Sequence, residues 1–339
     1  MPLVSTSIPN LLNGISQQPQ TLRQITQGEQ QINATSSVID GLVRRPPTEH
    51  IAKIISSAIS GASVHIVNRD ADEQYIVVIS ATTSSATIQI FSLDGTVTTC
   101  TTPDGVDYLF CANPAQDLEF LTVADYTFVV NKTKTVGMET AVINGVITSS
   151  VQEFTDLPTT ATVGNIYEII GDNTNQFDNY YVKALSANTY EETAKPSIKY
   201  QLDATTMPHS LVLTSGSFAF RKNTWGERTV GDEDSAPNPS FVGRTVSNIF
   251  FYKNRLGLLT DEYVLFSQAA NFFNFFPTSV TAVLDDAPID VSVSHTKVSL
   301  LKHAIPFNES LTLFSDSTQF TIETGGILTP KTISIVPST

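Results

Sequence analysis

Short runs of β-branched and aromatic residues, closed by two-residue turn dipeptides, recur along most of this chain and restrict it to an all-β fold. Tyr75 to Ile79 is a continuous apolar run, as expected of a strand buried on both faces. Ile88 to Leu93 and Val97 to Thr101 flank Asp94-Gly95, a pair that favours a tight hairpin because glycine tolerates positive φ. Phe120 to Val123 and Thr127 to Asn131 flank a second turn, and Ala141 to Ile143 and Val146 to Thr148 flank Asn144-Gly145. The pattern returns in Ile249 to Tyr252, Arg255 to Thr260 and Tyr263 to Ser267, separated by Lys253-Asn254 and Asp261-Glu262. Val298 to Ile305, Ser310 to Phe314, Gln319 to Glu323 and Thr332 to Val336 complete the set. Helix is scarce, with Gln268 to Phe275 the best short candidate.

The first strands of the last two sets, Ile249 and Val298, lie 49 residues apart, and Tyr75 and Tyr126 lie 51 apart. A recurrence of that length with three or four strands per unit predicts β-propeller-like blades, each an antiparallel meander. Two β-sandwich domains remain the rival arrangement. Residues 155–215 interrupt the rhythm with Ile166 to Ile170, Tyr180 to Leu185, Ile198 to Leu202 and Leu211 to Thr214, separated by polar loops such as Gly171 to Asn175. These strands predict a small inserted β subdomain. Residues 1–50 are rich in Gln, Asn, Ser and Pro and read as an irregular arm that takes order from a partner surface. The expected organisation is therefore an arm (1–50), meander blades (51–154), the insert (155–215) and further blades (216–339). A last strand so close to residue 339 suggests the front part of a longer protein.

Charge narrows the function. The 339 residues carry a formal net charge of −14, which argues against stable wrapping of DNA or RNA. The first basic residue is Arg23, so the basic start of a secretory leader is not seen, and no apolar stretch is long enough for a bilayer-spanning helix. Cys100 and Cys111 flank Pro103-Asp104-Gly105 and would face each other across a hairpin there; they are expected to be free thiols of a protein made in a reducing cytoplasm.

Catalytic signatures are not found: there is no nucleophile elbow, no paired-histidine zinc motif and no phosphate-cradling glycine loop. Neither a cofactor nor a metal is expected. The histidines are scattered, and His209, after Met207-Pro208, reads as a turn residue. Asp285, Asp286 and Asp290, and Asp232, Glu233 and Asp234, form two acidic groups that suit a cation site or an acid–base pair, but fit turn chemistry better. Phe272, Phe273, Phe275 and Phe276 predict a packed plug between blades, and Trp225, near Arg221, Lys222 and Arg228, is positioned for a cation–π contact.

Several motifs in fixed order resemble the tail nozzle proteins of short-tailed phages, the tail tubular protein B family. They begin with Gly14-Ile15-Ser16-Gln17-Gln18-Pro19, Arg23 and Gly41-Leu42-Val43-Arg44-Arg45-Pro46-Pro47. Asn68-Arg69-Asp70, Val123-Ala124-Asp125-Tyr126-Thr127-Phe128, Tyr167 to Asp172 and Thr206-Met207-Pro208-His209 follow. The densest part comprises Trp225 with Arg228, Pro239 to Arg244, Phe250 to Gly257, Phe272 to Phe276 and Asp285 to Asp290.

The resemblance implies a non-enzymatic virion protein: a homohexameric tube below the portal and adaptor ring. Tail fibres would surround it, and genomic double-stranded DNA would pass through without tight binding as the host envelope is breached. On this reading Gln17, Gln18, Arg23, Arg44 and Arg45 are subunit or adaptor contacts. Trp225, Arg244, Arg255 and the four phenylalanines are fold anchors. A rival class is a host-glycan-binding or depolymerising tail protein, which would place its chemistry on Asp285, Asp286 or Asp290.

Overall fold

The computed structural model describes residues 5, 7–8, 10–57, 59, 61–171, 179–307, 309–323 and 326–338. It divides into two compact units, Met1–Ala52 and Lys53–Thr339.

The first unit is irregular, with one hairpin formed by β1 (Ala34–Ser37) and β2 (Gly41–Arg44). Gly41, at φ +75°, supplies the left-handed residue that closes the turn. Upstream, Gly28 N–H donates to the Gly14 carbonyl and Ser16 N–H to that of Gly28, joining the two ends of a turn-rich loop. None of the unit's described residues is buried, and Val38 and Ile39 at the hairpin tip are 88% and 92% exposed. A two-stranded ribbon without a core is marginal in water.

The second unit contains the remaining sheets. β3 (Ser63–Asn68), β4 (Gln74–Ala81), β5 (Ala86–Ser92) and β6 (Val97–Thr98) form an antiparallel meander in chain order. Its last turn is Asp94-Gly95: the Asp94 carboxylate accepts from Thr96 N–H, and Gly95 adopts φ +88°. β7 (Cys100–Thr101), β8 (Leu118–Val123) and β9 (Tyr126–Asn131) follow, with one helical turn, α1 (Pro114–Asp117), before β8.

The chain then leaves to build a separate sheet from β10 (Ile147–Val151), β11 (Ile166–Ile169), β12 (Tyr180–Ser186) and β13 (Thr189–Thr193). It returns in β14 (His209–Thr214) and β15 (Ser217–Arg221), which complete a five-stranded sheet of order β7-β15-β14-β9-β8. Two meanders close the sequence. The first is β16 (Asn248–Tyr252), β17 (Arg255–Thr260), β18 (Tyr263–Phe266) and β19 (Ile289–Ser292). The second is β20 (Leu301–Phe307), β21 (Ser310–Ser315), β22 (Gln319–Glu323) and β23 (Ser334–Pro337). All ladders are antiparallel except β10–β11 and β15–β7.

The continuous apolar runs are explained by how these sheets pack. Alternate residues of one strand enter different cores: Val129 of β9 joins the core with β4 and β5, while Phe128 and Val130 join the core with β16 and β17. Ile249 of β16 belongs to that second core, and Phe250 to a third, shared with β21 and β22. Four sheets are thus linked in chain order by three apolar layers. One edge strand of each sheet lies next to that of its neighbour, β8 beside β3 and β16, and β16 beside β20. Across β16–β17 the ring of Phe250 covers Gly257, where any Cβ would collide with it.

Several sequence expectations change. No hairpin forms at Asn144-Gly145: Ile143 exchanges backbone hydrogen bonds with Ile198 and Ser197, whereas β10 pairs in parallel with β11, so different partners capture the two runs. Residues 198–202 make only isolated bridges, and 211–214 belong to β14, in the sheet of β9. β7 pairs with β15, so Cys100 and Cys111 do not face each other across a hairpin; both are free. Gln268 to Phe275 is not helical. Asn274 turns the chain instead, accepting from Phe276 N–H and donating to the Phe276 carbonyl, and Ala270 is left-handed at φ +60°. Of the loop 171–175, only Gly171 lies within the described residues.

Candidate functional site

The arm residues are arranged locally. Gln17 and Gln18 are exposed. Arg23 is half-buried, donates to the Gln18 carbonyl and pairs with Glu29 at 3.2 Å. Arg44 and Arg45 stand exposed at the end of β2, and neither forms an ion pair among the described residues. The hairpin therefore presents two free guanidinium groups and an apolar tip.

The aromatic segment enters the core between the five-stranded sheet and β16–β19. Phe275 and Phe276 are buried, and Phe272 and Phe273 are half-buried. Trp225 meets Phe273 edge-on at 5.5 Å and Phe275 at 6.0 Å; Phe275 meets Phe241 at 5.3 Å, and Phe272 meets Phe251 at 5.2 Å. Phe273 also reaches Tyr126 and Phe128 of β9. The cation–π contact expected at Trp225 forms elsewhere. Arg228 lies over Phe276 at 5.3 Å, with its guanidinium donating to the Lys199 carbonyl and Asn238 Oδ1.

Arg244 and Arg255 lie apart from that cluster. Arg244 stacks on Tyr263 at 4.6 Å, pairs with Asp261 at 3.2 Å and donates to the Ser240 carbonyl. Arg255 is 1% exposed and forms no ion pair among the described residues. Its guanidinium donates instead to five carbonyls, those of Ser267, Asp285, Asp286, Ala287 and Leu328, at 2.7–3.2 Å. One side chain thereby ties β17 to the turn before β19 and to the segment between β22 and β23.

The acidic groups resolve into turn contacts. Asp285 faces Lys331 at 3.7 Å, Asp286 accepts from the Gln268 amide, and Asp290 accepts from Ser240 N–H. Asp232 accepts from Asp234 N–H and from Ser235 N–H and hydroxyl. Burial opposes its ionisation, yet these bonds and Lys195 hold its carboxyl below the usual range. Sequence reasoning missed a contact at this turn: the Tyr181 hydroxyl lies 3.1 Å from Glu168 Oε1 and 3.2 Å from Asp232 Oδ2, where it serves two carboxylates with one proton. Glu192 likewise joins the inserted sheet to residues 279–281, accepting from Ser279 and Val280 at 2.9 Å. Both are long-range contacts without a local motif.

His209 is buried in β14. Its ring stacks on Tyr108 at 4.1 Å and on Phe220 at 5.4 Å, and Nδ1 contacts the Met207 carbonyl. Burial pushes its pKa down from 6.5 to about 4. The unfolded chain therefore binds a proton that the folded chain refuses between those values. The stability this neutral histidine contributes is full above pH 6.5 and is lost as pH falls towards 4, in total about 3 kcal/mol. Relative to wild type, His209→Phe is expected to flatten the loss of unfolding free energy over that window. Parallel pH curves for the two proteins would refute it.

Where β8, β16 and β20 converge there is a cleft of about 450 Å³ lined by Glu119, Thr122, Asn248 and His303 together with apolar side chains. It lies on the line of adjoining edge strands and opens to solvent.

The family model described as bacteriophage nozzle protein matches residues 1–146 and 142–339. The tail tubular protein gp12 of Escherichia phage T7 is 32% identical over an alignment that covers 99% of this chain and 55% of that protein. The chain thus spans about half the length of this curated relative. With the family model matched along its whole length, the chain belongs to the bacteriophage nozzle protein family.

Proposed function

We propose that this chain is a structural subunit of a short phage tail, one of six copies forming a nozzle below the adaptor ring. The genome would leave through it, and tail fibres would dock around it as the host envelope is crossed. The observation that carries the reading is the family match from the first residue to the last. The row of edge strands β3, β8, β16 and β20, with an apolar layer between each pair of successive sheets, supports a propeller-like body. The formal charge of −14 suits a conduit, because a wall of negative potential repels the phosphate backbone and lets a duplex slide. Tight, salt-insensitive DNA binding by assembled tails would contradict that part.

The arm suits the adaptor or a neighbouring subunit. Among its described residues none is buried, Val38 and Ile39 make an apolar tip, and Arg44 and Arg45 nearby form no ion pair. Deleting residues 1–47 is expected to leave a folded protein that does not join tails; normal tail assembly by the deletion would refute the arm's role. Cryo-electron microscopy of the intact particle tests the whole reading. Six copies around a channel next to the adaptor are expected. Placement at a fibre tip would discard the nozzle and favour glycan binding or depolymerisation.

A further inference from the structure

We propose that Asn144-Gly145 is a site of spontaneous covalent modification: Asn144 deamidates through a succinimide, and the isoaspartate so formed loosens the strand that leads into the inserted sheet. The dipeptide Asn-Gly occurs twice in the chain, at Asn13-Gly14 and at Asn144-Gly145. Asparagine is labile before glycine because, without a Cβ in the way, the next amide nitrogen reaches the carboxamide unhindered. Sequence alone treats the two sites alike, and the fold separates them.

Asn13 is held in place. Its carboxamide nitrogen donates to Gln24 Oε1 at 3.3 Å and to Thr26 Oγ1 at 2.6 Å. Its backbone N–H donates to the Thr26 carbonyl, and the Gly14 carbonyl accepts from Gly28 N–H. The side chain must give up both of its bonds before Cγ can turn towards the next amide. Asn144 and Gly145 instead lie exposed in irregular backbone, because the hairpin that would have fixed them does not form. Among the described residues neither the Asn144 side chain nor the Gly145 N–H makes a hydrogen bond.

The chemistry needs only water. The Gly145 nitrogen attacks Cγ of Asn144 and forms a new C–N bond, while the bond from Cγ to the carboxamide nitrogen breaks. Ammonia leaves with the proton that the Gly145 amide gives up. Water then opens the ring. Cleavage at Cγ leaves an ordinary aspartate, and cleavage at the main-chain carbonyl leaves isoaspartate, with the chain running through Cβ and Cγ. No oxidation state changes.

The location gives the isoaspartate its effect. Ile143, just before the site, exchanges backbone hydrogen bonds with Ile198 and Ser197, and Ile147, just after it, pairs with Ile166 of β11. The extra main-chain methylene falls between these two fixed points. There is little slack, since a Cβ on Gly145 would lie 2.9 Å from Ile166 Cδ1. The new carboxylate also appears in a stretch, residues 140–152, that contains no charge.

Ageing the purified chain in mildly alkaline buffer, then mapping peptides by mass and by isoaspartyl methyltransferase labelling, tests the site. In the folded chain Asn144 is expected to deamidate about tenfold or more faster than Asn13, a barrier difference of ~1.4 kcal/mol. In urea, where Asn13 loses its bonds, the two rates are expected to converge. Equal rates in the folded chain, or a gap that persists in urea, would overturn the assignment. Hydrogen exchange reads the consequence. The β10 amides of aged wild type are expected to exchange faster than those of fresh protein. An equally aged Asn144→Gln chain, whose longer side chain closes a ring far more slowly, is expected to match fresh protein. Unchanged exchange in isoaspartate-bearing chains, or the same acceleration in aged Asn144→Gln, would overturn the effect on the inserted sheet.

Discussion

Arg255→Ala is expected to destabilise the body of this protein by about 4 kcal/mol or more, the largest effect of any single substitution considered. The guanidinium is 1% exposed and serves five carbonyl oxygens from three separate segments. Removing it leaves buried acceptors without donors, each worth about 1–3 kcal/mol when stranded, although such terms do not add. The cavity left behind adds to the loss. Arg255→Lys is expected to recover only part of it, because one ammonium cannot reproduce a planar fork of donors. Thermal unfolding should record a drop of about 10 °C for alanine, taking a few degrees per kcal/mol for a domain of this size. A shift of a degree or less would show that water replaces the guanidinium freely and that Arg255 does not hold the last two meanders together.

Phe276→Ala follows, at about 3–5 kcal/mol. Phe276 is fully buried, and its ring carries the buried guanidinium of Arg228 at 5.3 Å. Truncation opens a cavity in the layer between the five-stranded sheet and β16–β19 and removes the aromatic face from a charge with two neutral acceptors, the Lys199 carbonyl and Asn238. Phe276→Leu is expected to restore most of the packing and none of the cation–π contact. The difference between leucine and alanine in chemical denaturation therefore separates the two contributions. If leucine and alanine are equally damaging, the ring–guanidinium contact dominates; if leucine matches wild type, packing alone matters.

The part of the candidate site that was legible in the sequence is the part made by neighbouring residues. Four phenylalanines within five positions advertise a buried cluster, and the structure brings them to Trp225, Phe241 and β9. The role of Arg255 was less legible, because its partners are backbone carbonyls, which every residue has. Tyr181 with Asp232, and Glu192 with residues 279–281, left no trace for a different reason, distance along the chain. Glu168 faces Tyr181 across the β11–β12 pair, but Asp232 lies 51 residues from Tyr181 and residues 279–281 lie 87–89 from Glu192.

The sequence by itself determined the all-β class, the family and most of the strands, because alternation, apolar runs and turn dipeptides are local properties of the chain. Asp94-Gly95 and Lys253-Asn254 fixed their hairpins through residues that tolerate a left-handed backbone, with Gly95 at φ +88° and Lys253 and Asn254 at +45° and +59°. Asn144-Gly145 carries an equally good signal and forms no hairpin, because its flanks find better partners in residue 198 and in β11. Only the tertiary structure decided such competitions: β14 returning to β9 across the inserted sheet, β10 running parallel to β11, and Asn274 turning an apolar segment that lacks a helix. Each outcome depends on what the rest of the fold offers a strand once loops have closed, a free-energy difference between distant pairings that no local stretch of sequence records.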